Sequence, residues 1–414
     1  MSLAADLAAF RARLPKRARL FIGGCSGEPL GLSDAFRAAP ELANGVTFIG
    51  QWVPGINQTD WASLHPAAEA ETCFLHPPLR PSFDAGRTRI LPMTYFQSWD
   101  WISTTPLEGG ILLVSPPDTD GNVTFGVSAD FGPALAARAD VPLLAVINAN
   151  MPAPPHTPRV PLSRFAQVTE DPSPLLSVPP TPLAPAFAGI ARHISGLVPD
   201  GAALQFGIGN VQQAVLTELA GRKGLSIWSG IISDPVIGML EADLTMQVTT
   251  GVAVGTEALY RRLAAEPRVR FEPVSVTHNI LRLAAIEKFT AINSALEVDL
   301  FGQANSEFMS GRQISGTGGS TDFLRGARAS RGGTGIIALT ATARGGAVSR
   351  IVPRLTPDAT SIARADMDVV ITEFGAARLR NLDLDGRAAA LIQIADPAHR
   401  DTLANAWDHM RRGM

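Results

Sequence analysis

Cysteine and lysine are nearly missing from this chain of 414 residues, and long apolar runs are missing altogether. Its two cysteines, Cys25 and Cys73, give neither a disulfide framework nor metal-ligand spacing, which fits a reducing compartment. Cys25 follows an apolar strand-like run and reads as a buried small hydrophobe rather than a nucleophile. No His/Cys/Asp cluster has ligand spacing, so no metal is expected. No run of about 18 apolar residues occurs, so no membrane span is expected. Leu3, Leu7, Phe10 and Leu14 lie at helical spacing without a long apolar core or a cleavage pattern. That start reads as a surface helix, not a signal peptide, and a cytoplasmic protein is expected.

A strong field of either sign is also lacking. The net charge is −3, which argues against a nucleic-acid partner. The lysines are Lys16, Lys223 and Lys288 alone, so side-chain contacts to phosphate fall to arginine. What is present is 46% hydrophobic and 18% charged residues, the balance of a globular protein with ample core. The length suits two or three domains.

Short apolar runs alternate with amphipathic segments along the whole chain. Arg19–Ile22, Val46–Gly50, Thr88–Pro92, Gly110–Val114 and Leu143–Asn148 read as strands in the first part. Ala203–Phe206, Leu225–Ser229, Val248–Gly251, Phe289–Asn293, Ala295–Leu300, Gly335–Leu339 and Val369–Gly375 continue the series. Helix-like stretches between them predict a mostly parallel α/β sheet. Residues 169–186 hold six prolines and read as a linker between domains 1–168 and 187–414. A long loop inside one domain is the alternative.

Three stretches are rich in glycine. Gly23–Pro29 is a strand-to-helix turn of the kind that places ligands in α/β proteins, and also of the kind that merely connects. Phe206-Gly207-Ile208-Gly209-Asn210 is a strand, a GxG turn and a helix start, which can seat a phosphate on backbone N–H groups. The full GxGxxG spacing and a ribose-binding acid are absent, so a dinucleotide site is not expected. Gly311–Ala327 contains Gly316, Gly318 and Gly319 among small hydroxyl residues, with Arg325, Arg328 and Arg331 close behind. The residues alone leave two readings open: an anion nest or a tight turn.

Several segments in order resemble the acetyl-CoA hydrolase/transferase family, which includes 4-hydroxybutyrate and butyryl CoA-transferases. They are Gly27–Pro29, Ser115–Ser128, Ile147–Pro152, Phe206–Val211, Ile292–Glu307, Ser315–Ala327 and Ile351–Gly375. The resemblance implies two open, mostly parallel α/β domains with the active site in the cleft between them. It implies that the C-terminal domain binds CoA, with Gly207, Ile208 and Gly209 in one contacting turn and Gly316, Gly318 and Gly319 in a second cradle. It makes acyl-CoA the substrate, with a small carboxylate as a further partner, no permanently bound cofactor, and a homo-oligomer as the assembly.

The family's transferase chemistry needs one glutamate, which forms an anhydride and then a glutamyl-CoA thioester. The matching stretch here is Ile227–Asp234, with Gly230 at the glutamate's place and Trp228 at that of a preceding histidine. Gly230 has no carboxylate, so the vacated space is expected to take water or a substrate group, with Trp228 filling part of it or packing elsewhere. Glu28 is the candidate replacement carboxyl, as a general base or a positioning group. Glu297, Asp299 and Glu373 read as structural, and Asp234 and Glu241 as salt-bridge formers. His278 reads as a loop histidine, at the surface or with its hydrogen bonds satisfied. Three functions follow: an acyl-CoA hydrolase without a glutamyl intermediate, a CoA-transferase using another carboxylate, or a non-catalytic acyl-CoA binder.

Overall fold

The computed structural model describes residues 2–179, 182–355 and 359–414. Pro180 and Thr181 of the expected linker, and residues 356–358 of the motif that begins at Ile351, lie outside the described residues. The chain divides into two compact units. Unit 1 is Met1–Pro179 with Ile231–Asp234 and Val248–Thr277; unit 2 is Pro180–Gly230, Pro235–Gln247 and His278–Met414.

Unit 1 is built on a seven-stranded sheet: β1 (Ala18–Ile22), β2 (Val46–Ile49), β3 (Glu69–Thr72), β4 (Thr88–Ile90), β5 (Gly109–Val114), β7 (Leu143–Ile147) and β9 (Gln167–Glu170), in the order β4-β3-β2-β1-β5-β7-β9. Every pair is parallel. β6 (Asn122–Thr124) and β8 (Arg159–Pro161) form a separate antiparallel pair. All six residues of β5 are buried, as expected of a strand inside a parallel sheet covered on both faces. The helices α1 (Leu3–Arg11), α2 (Leu30–Ala38), α3 (Arg80–Asp84), α4 (Tyr95–Thr104) and α5 (Gly132–Ala136) complete the first stretch. α1 buries Leu7 and Phe10 as the helical spacing requires, and Ser2 caps it through Ala5 N. Phe36 of α2 meets Phe48 of β2 edge-on at 5.3 Å, and Phe48 in turn packs on Trp61.

The later segments of unit 1 hold the parallel pair β12 (Val248–Ala253) and β13 (Val269–Phe271), with α9 (Glu257–Leu263) and α10 (Val274–Thr277). Backbone bonds tie them to the first stretch: Ala129 N donates to Gly251 O, and Val274 N to Asp130 O. That pairing explains why a segment distant in sequence belongs to this unit.

In unit 2 the strands β10 (Ala203–Phe206), β14 (Phe289–Ser294), β19 (Thr334–Ala338), β23 (Val369–Thr372) and β24 (Gly375–Arg378) lie side by side, and β11 (Ser226–Ile232) begins beside β10. The pairs are parallel except β23–β24. Short pairings decorate the sheet: β15 (Glu297–Asp299) with β16 (Ala304–Asn305) and β22 (Ile351–Val352), β17 (Phe308–Met309) with β18 (Arg312–Gln313), and β20 (Thr342–Ala343) with β21 (Val348–Ser349). The helices are α6 (Pro185–Ser195), α7 (Asn210–Leu219), α8 (Pro235–Ala242), α11 (Ile280–Ala285), α12 (Ser320–Ala329), α13 (Leu384–Ile394) and α14 (Pro397–Arg411). Leu324, Ile337, Val370, Leu391 and Trp407 share one core cluster, so α12, α13 and α14 bury their apolar faces on the sheet. Gly189 and Gly196, which weaken the helical reading on either side, fall inside α6 and just past its end.

The architecture is thus α/β with mostly parallel sheets in both units. In such sheets, loops at the carboxyl ends of the strands are where ligands bind. The glycine turns after β1 and β10 sit at such ends.

Candidate functional site

In unit 2 the turn after β10 is drawn tight by Gly207 N, which donates to Ile292 O of β14 at 3.2 Å. Gly209 has φ +109°, a conformation that a side chain would strain, and α7 starts at the next residue. Ile208 between the glycines is 42% exposed. It lines a cavity of about 340 Å³ with Asn210, Ser294, Ser306, Thr340 and Arg350. The ends of β10, β14 and β19 therefore share one concave surface, with a helix amino terminus and an arginine on it.

The second glycine stretch runs into α12, whose first residue, Ser320, follows Gly319. Gly318 has φ +60°. Thr317 Oγ1 donates to Glu307 Oε1 at 3.4 Å, and Glu307 adjoins Ser306 of the cavity lining. Ile208 lines the cavity itself, whereas the loop of Gly316, Gly318 and Gly319 meets its rim through Glu307. The three arginines behind the loop are committed elsewhere. Arg325 pairs with Asp366, Arg328 with Asp368 and Arg331 with Glu287. Each is held by an acid that becomes its neighbour only in the folded chain.

Gly230 lies in β11, and the space beside it is not vacant. A Cβ on Gly230 would stand 2.6 Å from His278 Cε1 and 2.9 Å from His278 Nε2. A Cβ on Gly319 would stand 2.6 Å from the same Nε2. The imidazole is wedged between the two glycines, with its ring 4.5 Å from that of Phe323. His278 follows α10 and is 4% exposed, so it is no surface histidine. Burial pushes its pKa down to about 3, and the ring is neutral at physiological pH. The expected room for water at Gly230 is therefore corrected: a ring carried by a distant loop fills it. Trp228 packs against the cluster that includes Phe289, Phe323 and Ala327.

In unit 1, Glu28 ends the turn after β1 and is 2% exposed. Its Oε2 accepts from Asn57 Nδ2. Its Oε1 is buried with no partner in hydrogen-bonding geometry among the described residues. Burial raises the pKa of this carboxyl, while Thr59 and Asn57 favour its ionised form. Cys25, three residues earlier, is buried, and its thiol is pushed well up, chiefly by burial and then by Asp130 and Glu28. It is no activated nucleophile. Asp130 is raised by burial to about 6 and accepts from Tyr95 Oη at 3.3 Å.

The remaining acids hold local structure. Asp299 accepts from Phe301 N and Gln303 N, and Glu373 Oε2 accepts from Ala341 N. Asp234 accepts from Thr256 N and Oγ1, so it anchors a turn through hydrogen bonds where a salt bridge was expected. Asn57, Arg350 and the wedged His278 were not singled out for these positions from sequence. Each owes its place to a partner far along the chain. Among the described residues, no His/Cys/Asp/Glu group could hold a metal, and no helix is long and apolar enough to cross a membrane.

Two mostly parallel α/β units, with glycine turns at strand ends and an arginine-bearing cavity beside a helix start, place the protein in the α/β class. The C-terminal domain model of the acetyl-CoA hydrolase/transferase family matches residues 255–407. The 4-hydroxybutyrate coenzyme A transferase of Clostridium kluyveri is 32% identical over 407 residues, covering 95% of each chain. An acetyl-CoA hydrolase of Candida albicans is 31% identical over 259 residues, 56% of this chain and 47% of the other. Among solved structures, RipA from Yersinia pestis aligns with a TM-score of 0.89 at 26% identity, covering 98% of this chain and 97% of that one. The 4-hydroxybutyrate CoA-transferase of Porphyromonas gingivalis aligns with a TM-score of 0.81 at 28% identity, covering 100% and 97%. The chain belongs to the acetyl-CoA hydrolase/transferase family.

Proposed function

We propose that this protein hydrolyses acyl-CoA thioesters without passing through a glutamyl-CoA intermediate. The observation that carries the reading is the imidazole of His278 in the side-chain space of Gly230. A glycine offers no carboxylate, and the wedged ring leaves no room for one to be supplied there. CoA is held by unit 2. Gly207, Ile208 and Gly209 contribute the turn that lines the cavity, and Gly316, Gly318 and Gly319 the loop that opens α12.

In the reaction, a water oxygen bonds to the thioester carbonyl carbon, and the carbonyl oxygen takes the charge. Each backbone N–H aimed at that oxygen is worth about 3 kcal/mol. The C–S bond then breaks, the thiolate leaves with the proton taken from water, and the products are the free acid and CoA. A homo-oligomeric, cytoplasmic enzyme with a CoA-binding segment from residue 187 onward completes the reading.

The second reading is carboxylate-dependent CoA transfer through another acid. Glu28 supports it, because it is a buried carboxyl whose pKa burial raises. One assay separates the readings. Acetyl-, butyryl- and 4-hydroxybutyryl-CoA are supplied with and without free carboxylates, and CoA release and adduct mass are followed. Release that needs no added carboxylate, with no mass increment on the protein, is expected. Carboxylate-dependent exchange with a covalent CoA adduct sinks hydrolysis. Binding without turnover leaves an acyl-CoA binder.

A further inference from the structure

A second cavity in unit 2, of about 300 Å³, shares no lining residue with the cavity of Ile208 and Arg350. Asp299, the last residue of β15, lines it with Phe301, Gln303, Arg354, Thr360 and Arg364. Two guanidiniums share one ring there. Arg354 Cζ stands 5.2 Å and Arg364 Cζ 5.3 Å from the Phe301 ring centroid. The ring is buried and is itself met edge-on by Trp407 at 5.3 Å. Cation–π contact holds both arginines without neutralising either. Arg364 Nη2 donates to Gln303 Oε1 at 3.3 Å and Arg354 Nε to Met410 Sδ at 3.2 Å, both uncharged acceptors. Among the described residues neither guanidinium has an acidic partner, whereas Arg325, Arg328, Arg380 and Arg411 of the same unit all do. The acidic side chain of the lining, Asp299, is spent on the turn: Oδ1 accepts from Phe301 N and Gln303 N, and Oδ2 from Gln303 Nε2 and Leu355 N. A third cation backs the pair. Arg387 Nη1 donates to Arg364 O at 2.8 Å, and burial, then Arg328 and Arg364, hold its guanidinium below its ordinary value.

We propose that this cavity is a phosphate-binding site in which Arg354 and Arg364 pair with the dianion of a phosphate group. The site is independent of the hydrolytic reading above. Two like charges brought to one ring repel, and an anion that meets both turns repulsion into attraction. A planar guanidinium presents paired N–H groups that match phosphate oxygens. Stacking on a fixed ring orders both side chains before the ligand arrives, which lowers the entropy lost on binding. Both arginines are exposed, so entry needs no opening of the unit. Thr360 adds a hydroxyl to the lining. A cavity of this volume is at the lower end for small-molecule sites, so the occupant is a phosphate or a compact phosphate ester. The phosphate has two sources: a free phosphorylated metabolite, or the phosphate monoester of CoA itself.

The test is titration of the full chain with inorganic phosphate at constant ionic strength, followed by phosphorus NMR line width. Saturable binding is expected, and Arg354→Gln combined with Arg364→Gln weakens it at least about tenfold. Arg411→Gln, which removes another exposed charge of the same unit, leaves the affinity unchanged. Arg354→Lys keeps the charge, loses the fork and gives an intermediate loss. Circular dichroism checks folding. Should the double variant fail to fold, each single substitution is expected to weaken binding about threefold. Repeating the titration with saturating CoA separates the sources. Phosphate binding that persists, with CoA affinity unchanged in the double variant, identifies a free phosphorylated ligand. Phosphate displaced by CoA, with CoA affinity weakened in the same variant, identifies the phosphate of CoA. Either result upholds the site. No saturable binding of phosphate, or equal affinity in the wild type and the arginine variants, overturns the proposal.

Discussion

His278 Nε2 lies 2.9 Å from the point where a side chain on Gly230 would begin. That approach is shorter than real Cβ contacts, so the glycine and the histidine are sterically coupled. Gly230→Glu alone is expected to disturb the ring, cost about 1–3 kcal/mol through overpacking, and gain no transferase activity. Gly230→Glu combined with His278→Gly makes room for the carboxylate. The pair is expected to acquire a covalent CoA adduct, read by intact-protein mass spectrometry, where either single change gives none.

The same ring sets an acid dependence of stability. His278 is held down to about 3 and His76 to about 4, both by burial. Between those values and the ordinary 6.5 the unfolded chain binds more protons, so stability falls as pH drops below 6.5. Asp130 works the other way. Raised to about 6, its contribution is present below the ordinary 3.8 and is lost as pH rises through 6. Melting temperature from pH 4 to 8 is expected to fall on the acid side, with a shallower slope in His278→Gln. Among the described residues neither buried nitrogen of His76 has a hydrogen-bond partner, so His76→Leu is expected to be neutral at pH 7 and to raise the melting temperature at pH 5.

Gly318, at φ +60°, tests the loop that opens α12. Gly318→Ala is expected to cost about 1–2 kcal/mol of stability from the left-handed backbone alone. If the loop cradles CoA, titration calorimetry at a temperature where the variant stays folded shows a CoA affinity at least about tenfold weaker. Unchanged affinity removes Gly316, Gly318 and Gly319 from the binding assignment.

Arg350 is the cationic side chain on the cavity that also takes in Ile208 and Asn210. Arg350→Gln is expected to raise KM for an acyl-CoA about tenfold, some 1.4 kcal/mol, with kcat unchanged. An acyl-pantetheine without the phosphates is expected to show no such change. Equal losses on both substrates mean that Arg350 supports the fold rather than the phosphates.

Much of the architecture was readable one segment at a time. Alternation, apolar runs and glycine turns are local properties, and they mark β5, β10 and β14 at nearly their observed bounds. The turn from Phe206 through Gly209 into α7 was readable for the same reason. The site was less so. Arg325, Arg328 and Arg331 look free in a linear string and are each paired in the fold.

The amino-acid sequence by itself determined that position 230 has no carboxylate, since that is a matter of covalent structure. It also determined that glycines stand wherever backbone must bend sharply at Gly209 and Gly318. Only the tertiary structure decided what fills the space at Gly230 and how Glu28 is held. His278 and Asn57 reach those places through loops whose course depends on packing of the whole unit. Steric occupation and hydrogen-bond commitment are properties of neighbours in space, and no local pattern records who those neighbours are.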